Sequence, residues 1–169
     1  MLLVGGASTR FGSPKALAEL DGETLAERSW RLLGDACDER IAVGKRADGL
    51  DLPFELLDDG TSVRAPIAGV VAGLRAATHE IAVVLPVDLP RLTVGAVHAL
   101  ADACRDAAVP PSGPLPGAYR RTALPELERA LAEQRLALRA AIAALDVAIV
   151  ELDERLLVNV NTPDDVRRL

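Results

Sequence analysis

The chain opens with Leu3-Val4-Gly5-Gly6-Ala7-Ser8-Thr9-Arg10-Phe11-Gly12-Ser13-Pro14-Lys15. Residues 1–4 read as a short strand that runs directly into a glycine-rich loop. Glycines let backbone N–H groups approach a ligand closely and supply positive φ where a loop must curl around it. Arg10 and Lys15 add two cations to those amides, a combination that suits phosphate. The spacing departs from both common phosphate loops. A Walker A loop needs Gly-Lys-Ser/Thr at its end, whereas Lys15 stands three residues past Gly12 and is followed by Ala16. The dinucleotide pattern Gly-x-Gly-x-x-Gly is also absent.

Beyond the loop, strand and helix patterns alternate. Residues 23–37 read as a helix with Leu25, Leu32 and Leu33 facing inward. Residues 40–44 and 54–57 read as strands. Pro66 at a first helical position opens a helix through residue 77. Residues 80–86 contain Ile-Ala-Val-Val-Leu, the continuous apolar run of a parallel strand buried on both faces. Thr93 caps a helix to residue 105. The Pro- and Gly-rich residues 110–116 form a loop. Helices at 122–133 and 136–145, strands at 147–152 and 156–159, and a short helix opened by Thr162 and Pro163 complete the pattern. No repeat or long linker divides it, so residues 1–169 read as one domain. Alternation of this kind implies a three-layer α/β/α, Rossmann-like fold with a mainly parallel sheet. Such sheets bind ligands beyond the carboxyl ends of their strands.

Polar residues stand where that rule asks for them. Asp58 and Asp59 follow the strand at 54–57. Asp88 follows the central strand within Pro86-Val87-Asp88-Leu89-Pro90. Asn159-Val160-Asn161-Thr162-Pro163-Asp164 follows residues 156–158. Asp88, held between prolines, offers a hard oxygen suited to Mg²⁺. Asn161 or Thr162 before Pro163 would also make a good helix cap, and Asp58 and Asp59 would serve equally as solvated loop residues.

The composition narrows the function classes. Half the residues are hydrophobic but only 2% are aromatic, so the core is built from Ala, Leu and Val. A net charge of −6 argues against nucleic acid or an anionic membrane as partner. An acidic protein that binds a nucleotide must concentrate cations locally or recruit a metal. Of 19 basic residues only Lys15 and Lys45 are lysines. Cys37 and Cys104 lack paired spacing and read as reduced thiols. His79 and His98 have no partner at metal-ligand spacing. With no long apolar run and no leader pattern, the expected location is the cytoplasm.

The pattern Leu-x-Gly-Gly-x-Ser-x-Arg-x-Gly-x-x-Lys resembles the loop of nucleotidyltransferases that join a nucleoside monophosphate to a phosphorylated acceptor. It is most similar to that of the molybdenum cofactor guanylyltransferases. Asp88 in its Asp-x-Pro setting and the Asn159–Asp164 segment resemble motifs of that family. Ala65-Pro66-Ile67-Ala68-Gly69 resembles its Gly-Pro-Leu-Ala-Gly, with Ala65 in place of Gly.

The resemblance implies a nucleotidyltransferase fold and a set of roles. Leu3, Val4, Gly5 and Gly6 would line the base and triphosphate, and Arg10 and Lys15 would hold the phosphates. Asp58 would contact the nucleotide. Asp88 and Asn161 would hold Mg²⁺, and Asn159 and Asn161 would approach the acceptor. Arg10, Lys15 and Asp88 would carry the catalysis.

The implied substrates are GTP and molybdopterin, and a molybdoenzyme or delivery chaperone would take the product. Family members usually carry several residues ahead of the Leu3-Val4-Gly5-Gly6 turn, whereas the first strand here begins almost at residue 1. They also carry a longer strand and hairpin before a segment like Ala118-Tyr119-Arg120-Arg121, in the region that would contact the acceptor.

Two alternatives stand beside guanylyl transfer. One keeps the chemistry with another base or acceptor: cytidylyl transfer to molybdopterin, or transfer to a sugar or polyol phosphate. Ser13-Pro14-Lys15 and Pro86-Val87-Asp88 lean that way, while Gly5-Gly6 and Asn-Val-Asn-Thr-Pro favour guanylyl. The other is a non-catalytic nucleotide-binding domain, against which Lys15, Asp88 and Asn161 all argue.

Overall fold

The computed structural model describes residues 1–5 and 14–168. Strand β1 (Leu2–Leu3) lies in the middle of a mixed sheet, between β4 (Ala42–Gly44) and β6 (Ile81–Pro86). Leu2 is in register with Ala42 on one side and Leu85 on the other, both pairings parallel. Strand β5 (Leu56–Asp58) extends the sheet beyond β4. Beyond β6 the order continues through β8 (Gly117–Arg120), β7 (Ala107–Val109) and β9 (Val147–Ile149). Strand β8 runs antiparallel to both β6 and β7, and β9 is parallel to β7.

Alternation of side chains along the strands makes the three layers. Leu2, Val4, Val83 and Leu85 point to one face and pack with Leu25 and Leu33 of α1 (Leu25–Ala36) and Val97 and Leu100 of α3 (Val94–Ala103). Met1, Leu3, Val43 and Val84 point to the other. There they meet Ile67, Val70 and Leu74 of α2 (Pro66–Ala76) and Leu127 of α4 (Leu124–Ala132). Gly69 sets the distance of α2 from the sheet, because a Cβ there would stand 2.8 Å from Leu3 Cδ2. The elements α5 (Leu138–Ala141) and α6 (Pro163–Arg167) are short.

The expected alternation and mainly parallel sheet are present, with differences that have local causes. The helix expected at 23–37 begins at Leu25. Glu23–Thr24 instead forms β3, a hairpin strand against β2 (Glu19–Leu20). Asp21 and Gly22, at φ 55° and 80°, make its turn. Thr24 then starts α1 through a reciprocal capping box with Glu27.

Strand β5 begins at Leu56 rather than 54, and Phe54 stacks on Trp30 with ring centroids 4.3 Å apart. The segment at 156–159, expected as a strand, is not one: Glu154–Leu157 is a 3₁₀ turn. The Asp153 side chain accepts the Arg155 N–H and turns the chain, which competes with extended pairing. Strand β8 was not expected. The loop at 110–116 returns the chain beside β7, which only antiparallel pairing permits over so short a connection.

Candidate functional site

The carboxyl ends of β1, β4, β5 and β6 open onto one cavity of about 710 Å³. Leu3, Val4 and Gly5 form its floor at the end of β1. Gly6 and Arg10, the other loop residues expected to hold the nucleotide, lie outside the described residues. Ala65 and Pro66 line a wall, where α2 begins without a side-chain cap. The positive end of the α2 dipole therefore faces the cavity and favours an anion there.

Lys15 sits at the start of a 3₁₀ turn, Lys15–Leu17, and reaches across the cavity floor. Its Nζ donates to Asn161 Oδ1 at 2.8 Å and lies 3.3 Å from Asp88 Oδ2. Three expected site residues thus converge at one point, from the loop after β1, the turn after β6 and the segment before α6.

Backbone contacts hold that point in place. The Val160 N–H donates to the Asp88 carbonyl at 2.9 Å, and Val160 is fully buried. The Asn161 and Thr162 N–H groups both donate to Asp165 Oδ2, while the Thr162 hydroxyl accepts from the Asp165 N–H. The Asn161 N–H holds the Asp165 carboxyl below its ordinary pKa, with Thr162 assisting. Asn159 lines the cavity one residue before the buried Val160.

The two aspartates after β5 divide their work. Asp58 Oδ2 accepts the Arg46 N–H at 2.7 Å and Oδ1 accepts the Gly60 N–H at 2.8 Å. These N–H groups hold its carboxyl below the ordinary range, the Arg46 contact foremost. Asp58 pins two turns and does not line the cavity, whereas Asp59 does. Asp59 Oδ1 pairs with Lys45 Nζ at 2.5 Å and accepts the Thr61 N–H at 3.1 Å. Lys45 also donates to the Thr61 carbonyl. Nearby, Arg64 pairs with Asp48 at 2.7 Å, and both residues line the cavity.

Lys45 carries no role in the sequence reading. Its signal was present in the position rule applied to the aspartates, since it follows β4 directly, and in its being one of two lysines among 19 basic residues.

A cavity with cations at both ends, an uncapped helix start and a carboxylate–amide pair beside Lys15 can hold a polyanion and a hard cation. Asp88 and Asn161 already bring two oxygens to one positive charge, the Lys15 ammonium. That donor chemistry fits Mg²⁺, which takes one or two protein oxygens and completes its shell from phosphates and water. No group of three His, Cys, Asp or Glu side chains poised for a metal occurs among the described residues. Burial raises the pKa of the thiols of Cys37 and Cys104, which suits structural rather than reactive cysteines. No helix among the described residues is long and apolar enough to cross a membrane.

Residues 1–149 match the family model of the MobA-like NTP transferase domain. The chain is 33% identical to the probable molybdenum cofactor guanylyltransferase of Chloroflexus aggregans, over 99% of this chain and 90% of that protein. It is also similar to the crystal structure of molybdopterin-guanine dinucleotide biosynthesis protein A from Archaeoglobus fulgidus. That likeness has a TM-score of 0.79 and 27% identity, over 99% of this chain and 94% of the other. The 2-C-methyl-D-erythritol 4-phosphate cytidylyltransferase of Thermus thermophilus shares the fold, with a TM-score of 0.73 and 20% identity over 99% and 94% of the two chains.

Proposed function

The chain belongs to the MobA-like NTP transferase family and is a nucleotidyltransferase; from that premise we propose that it transfers GMP from GTP to molybdopterin. The observation that carries this reading is the convergence of Lys15 on Asp88 and Asn161 beside the cavity.

In the proposed reaction a phosphate oxygen of molybdopterin attacks the α-phosphorus of GTP. The bond from the α-phosphorus to the bridging oxygen breaks, and pyrophosphate leaves with that electron pair. The products are molybdopterin guanine dinucleotide and pyrophosphate. No protein nucleophile is required, so positioning and charge stabilisation do the catalysis.

Lys15 neutralises phosphate oxygens as a point charge, and Arg10 adds a fork suited to bidentate phosphate contact. Leu3, Val4 and Gly5 form the floor for base and phosphates, and Gly6 would continue that lining. Asp58 supports the nucleotide wall through the Arg46 and Gly60 N–H groups. Asn159 and Asn161 face the acceptor. Asp88 and Asn161 would hold Mg²⁺, which when bound withdraws charge from the phosphorus and stabilises departing pyrophosphate. Residues 1–169 act as one catalytic domain in the cytoplasm, where a molybdoenzyme or delivery chaperone receives the product.

Calorimetry with GTP, CTP, ATP and UTP in the presence of Mg²⁺ tests the nucleotide. GTP should bind selectively, and turnover with molybdopterin should release pyrophosphate. Selective CTP binding would move the assignment to cytidylyl transfer, and binding of none of the four would overturn it.

A further inference from the structure

We propose that Leu115 packs against the ring system of the acceptor and that the Tyr119 hydroxyl positions it there, an inference that rests on the transfer reading above. Tyr119 is the one tyrosine of the chain. It is fully buried on β8, in the cluster that holds Leu74 of α2 and Leu127 of α4, where a phenylalanine would fill the same space. A buried tyrosine must still find a partner for its hydroxyl. This one reaches out of the core to a loop and donates to the Pro114 carbonyl at 2.5 Å. Burial pushes the phenol above its ordinary pKa, so it remains a donor.

Two further contacts hold the same loop. A Cβ at Gly117 would stand 2.6 Å from the Pro114 carbonyl oxygen, so the chain folds back there against bare backbone. Arg139 Nη2, from α5, donates to the Ser112 carbonyl at 2.9 Å. The loop is thus tied on both sides of Gly113. The residue after Pro114 is Leu115, and of residues 110–116 it alone lines the cavity.

The sheet fixes which side of the cavity Leu115 occupies. Strand β8 neighbours β6, with Val84 in register with Gly117. Antiparallel pairing sets Leu115, two residues before Gly117, at the Pro86 end of β6. Leu115, Pro86 and Val87 make this side of the cavity apolar. The side beyond β4 and β5 is polar, with the Lys45–Asp59 and Arg64–Asp48 ion pairs. Asn159, which faces the acceptor in the reading above, is tied to the β6 side because the next residue, Val160, donates to the Asp88 carbonyl. An acceptor that meets the nucleotide at Lys15, Asp88 and Asn161 from that side lays its ring face on Leu115. A polyol chain there would lose water from its hydroxyls and gain no partner.

Steady-state kinetics with GTP and molybdopterin test this in the wild type, Tyr119→Phe, Leu115→Ala and the double variant. Tyr119→Phe keeps the ring and deletes only the hydroxyl, so the acceptor itself would have to order the loop. KM for molybdopterin should rise about fivefold, the scale of one hydrogen bond, with kcat and calorimetric GTP affinity unchanged. Leu115→Ala removes apolar contact area and should raise the same KM about tenfold. Because the hydroxyl acts through Leu115, the double variant should be no worse than Leu115→Ala alone.

Additive effects in the double variant, or equal weakening of GTP and molybdopterin by Tyr119→Phe, overturn the positioning role. Failure of Tyr119→Phe to fold would make the hydroxyl a determinant of the fold and overturn that role as well. An unchanged molybdopterin KM in Leu115→Ala overturns the contact, and the transfer reading stands. If the wild type transfers no GMP to molybdopterin, the transfer reading falls and this inference with it.

Discussion

Lys15 Nζ donates to Asn161 Oδ1 at 2.8 Å across 146 positions of sequence. The contact joins the segment after β1 to the residues just before α6, at the edge of the cavity where Asp88 also arrives. The chemistry of the site therefore depends on three distant segments meeting.

Asp88→Asn keeps the shape of the side chain and the backbone carbonyl that receives the Val160 N–H. The fold should survive, with an unchanged circular dichroism spectrum. Removing the carboxylate takes several kcal/mol of charge stabilisation from the transition state, so Mg²⁺-dependent pyrophosphate release should fall by about 100-fold or more. A near-wild-type rate would remove Asp88 from the mechanism.

Lys15→Ala deletes a cation from the cavity floor. Charge-assisted contacts are worth about 1.5–3 kcal/mol, so GTP affinity should weaken by roughly 10- to 100-fold. Calorimetry at two salt concentrations checks this, and the salt dependence of binding should decrease as well. Unchanged affinity would refute a phosphate role.

Asp165 is a positioning residue, since its Oδ2 accepts the N–H groups of both Asn161 and Thr162. Asp165→Ala frees Asn161, and kcat should drop by about tenfold, the scale of one lost hydrogen bond of 1.4 kcal/mol, with little change in GTP affinity. Asp165→Asn keeps an oxygen acceptor and should restore part of the rate. An equal fall in affinity and rate would point to general loss of structure instead.

The Asp58 carboxyl is held below the ordinary range by the Arg46 N–H, then by that of Gly60. A depressed folded pKa contributes stability that is present above the unfolded value and lost as pH falls through the folded one. Thermal melting in wild type should therefore weaken on acidification below the usual carboxylate range. Asp58→Asn should lower the melting temperature near neutrality and flatten that acid limb. Parallel melting curves across pH would show that Asp58 adds no pH-linked stability.

How much of this was legible in the sequence varies by element. Buried strand β6 and helix α2 announced themselves, because a continuous apolar run and a Pro at the first helical turn are local signals. Thr93 and Thr162 marked helix starts for the same reason. The 3₁₀ turn at Glu154–Leu157 was hidden by its apolar content, since Leu156 and Leu157 suit a strand until Asp153 captures the Arg155 N–H. Antiparallel β8 was illegible because its partner is chosen by the return of a loop, not by its own four residues.

By itself the sequence determined the glycine loop, the alternating elements and the placing of Asp88 and the asparagines at strand and helix ends. These follow from backbone preference and side-chain periodicity, which act over a few residues. Only the tertiary structure decided which of two adjacent aspartates faces the cavity. Asp58 turns to the N–H groups of Arg46 and Gly60, and Asp59 turns to Lys45. Adjacent residues at a strand end point to opposite sides, and only the packing of β4 against β5 fixes which side is the cavity. The same packing brought Lys45 into the cavity wall, a placement set by contacts between segments rather than by any motif around it.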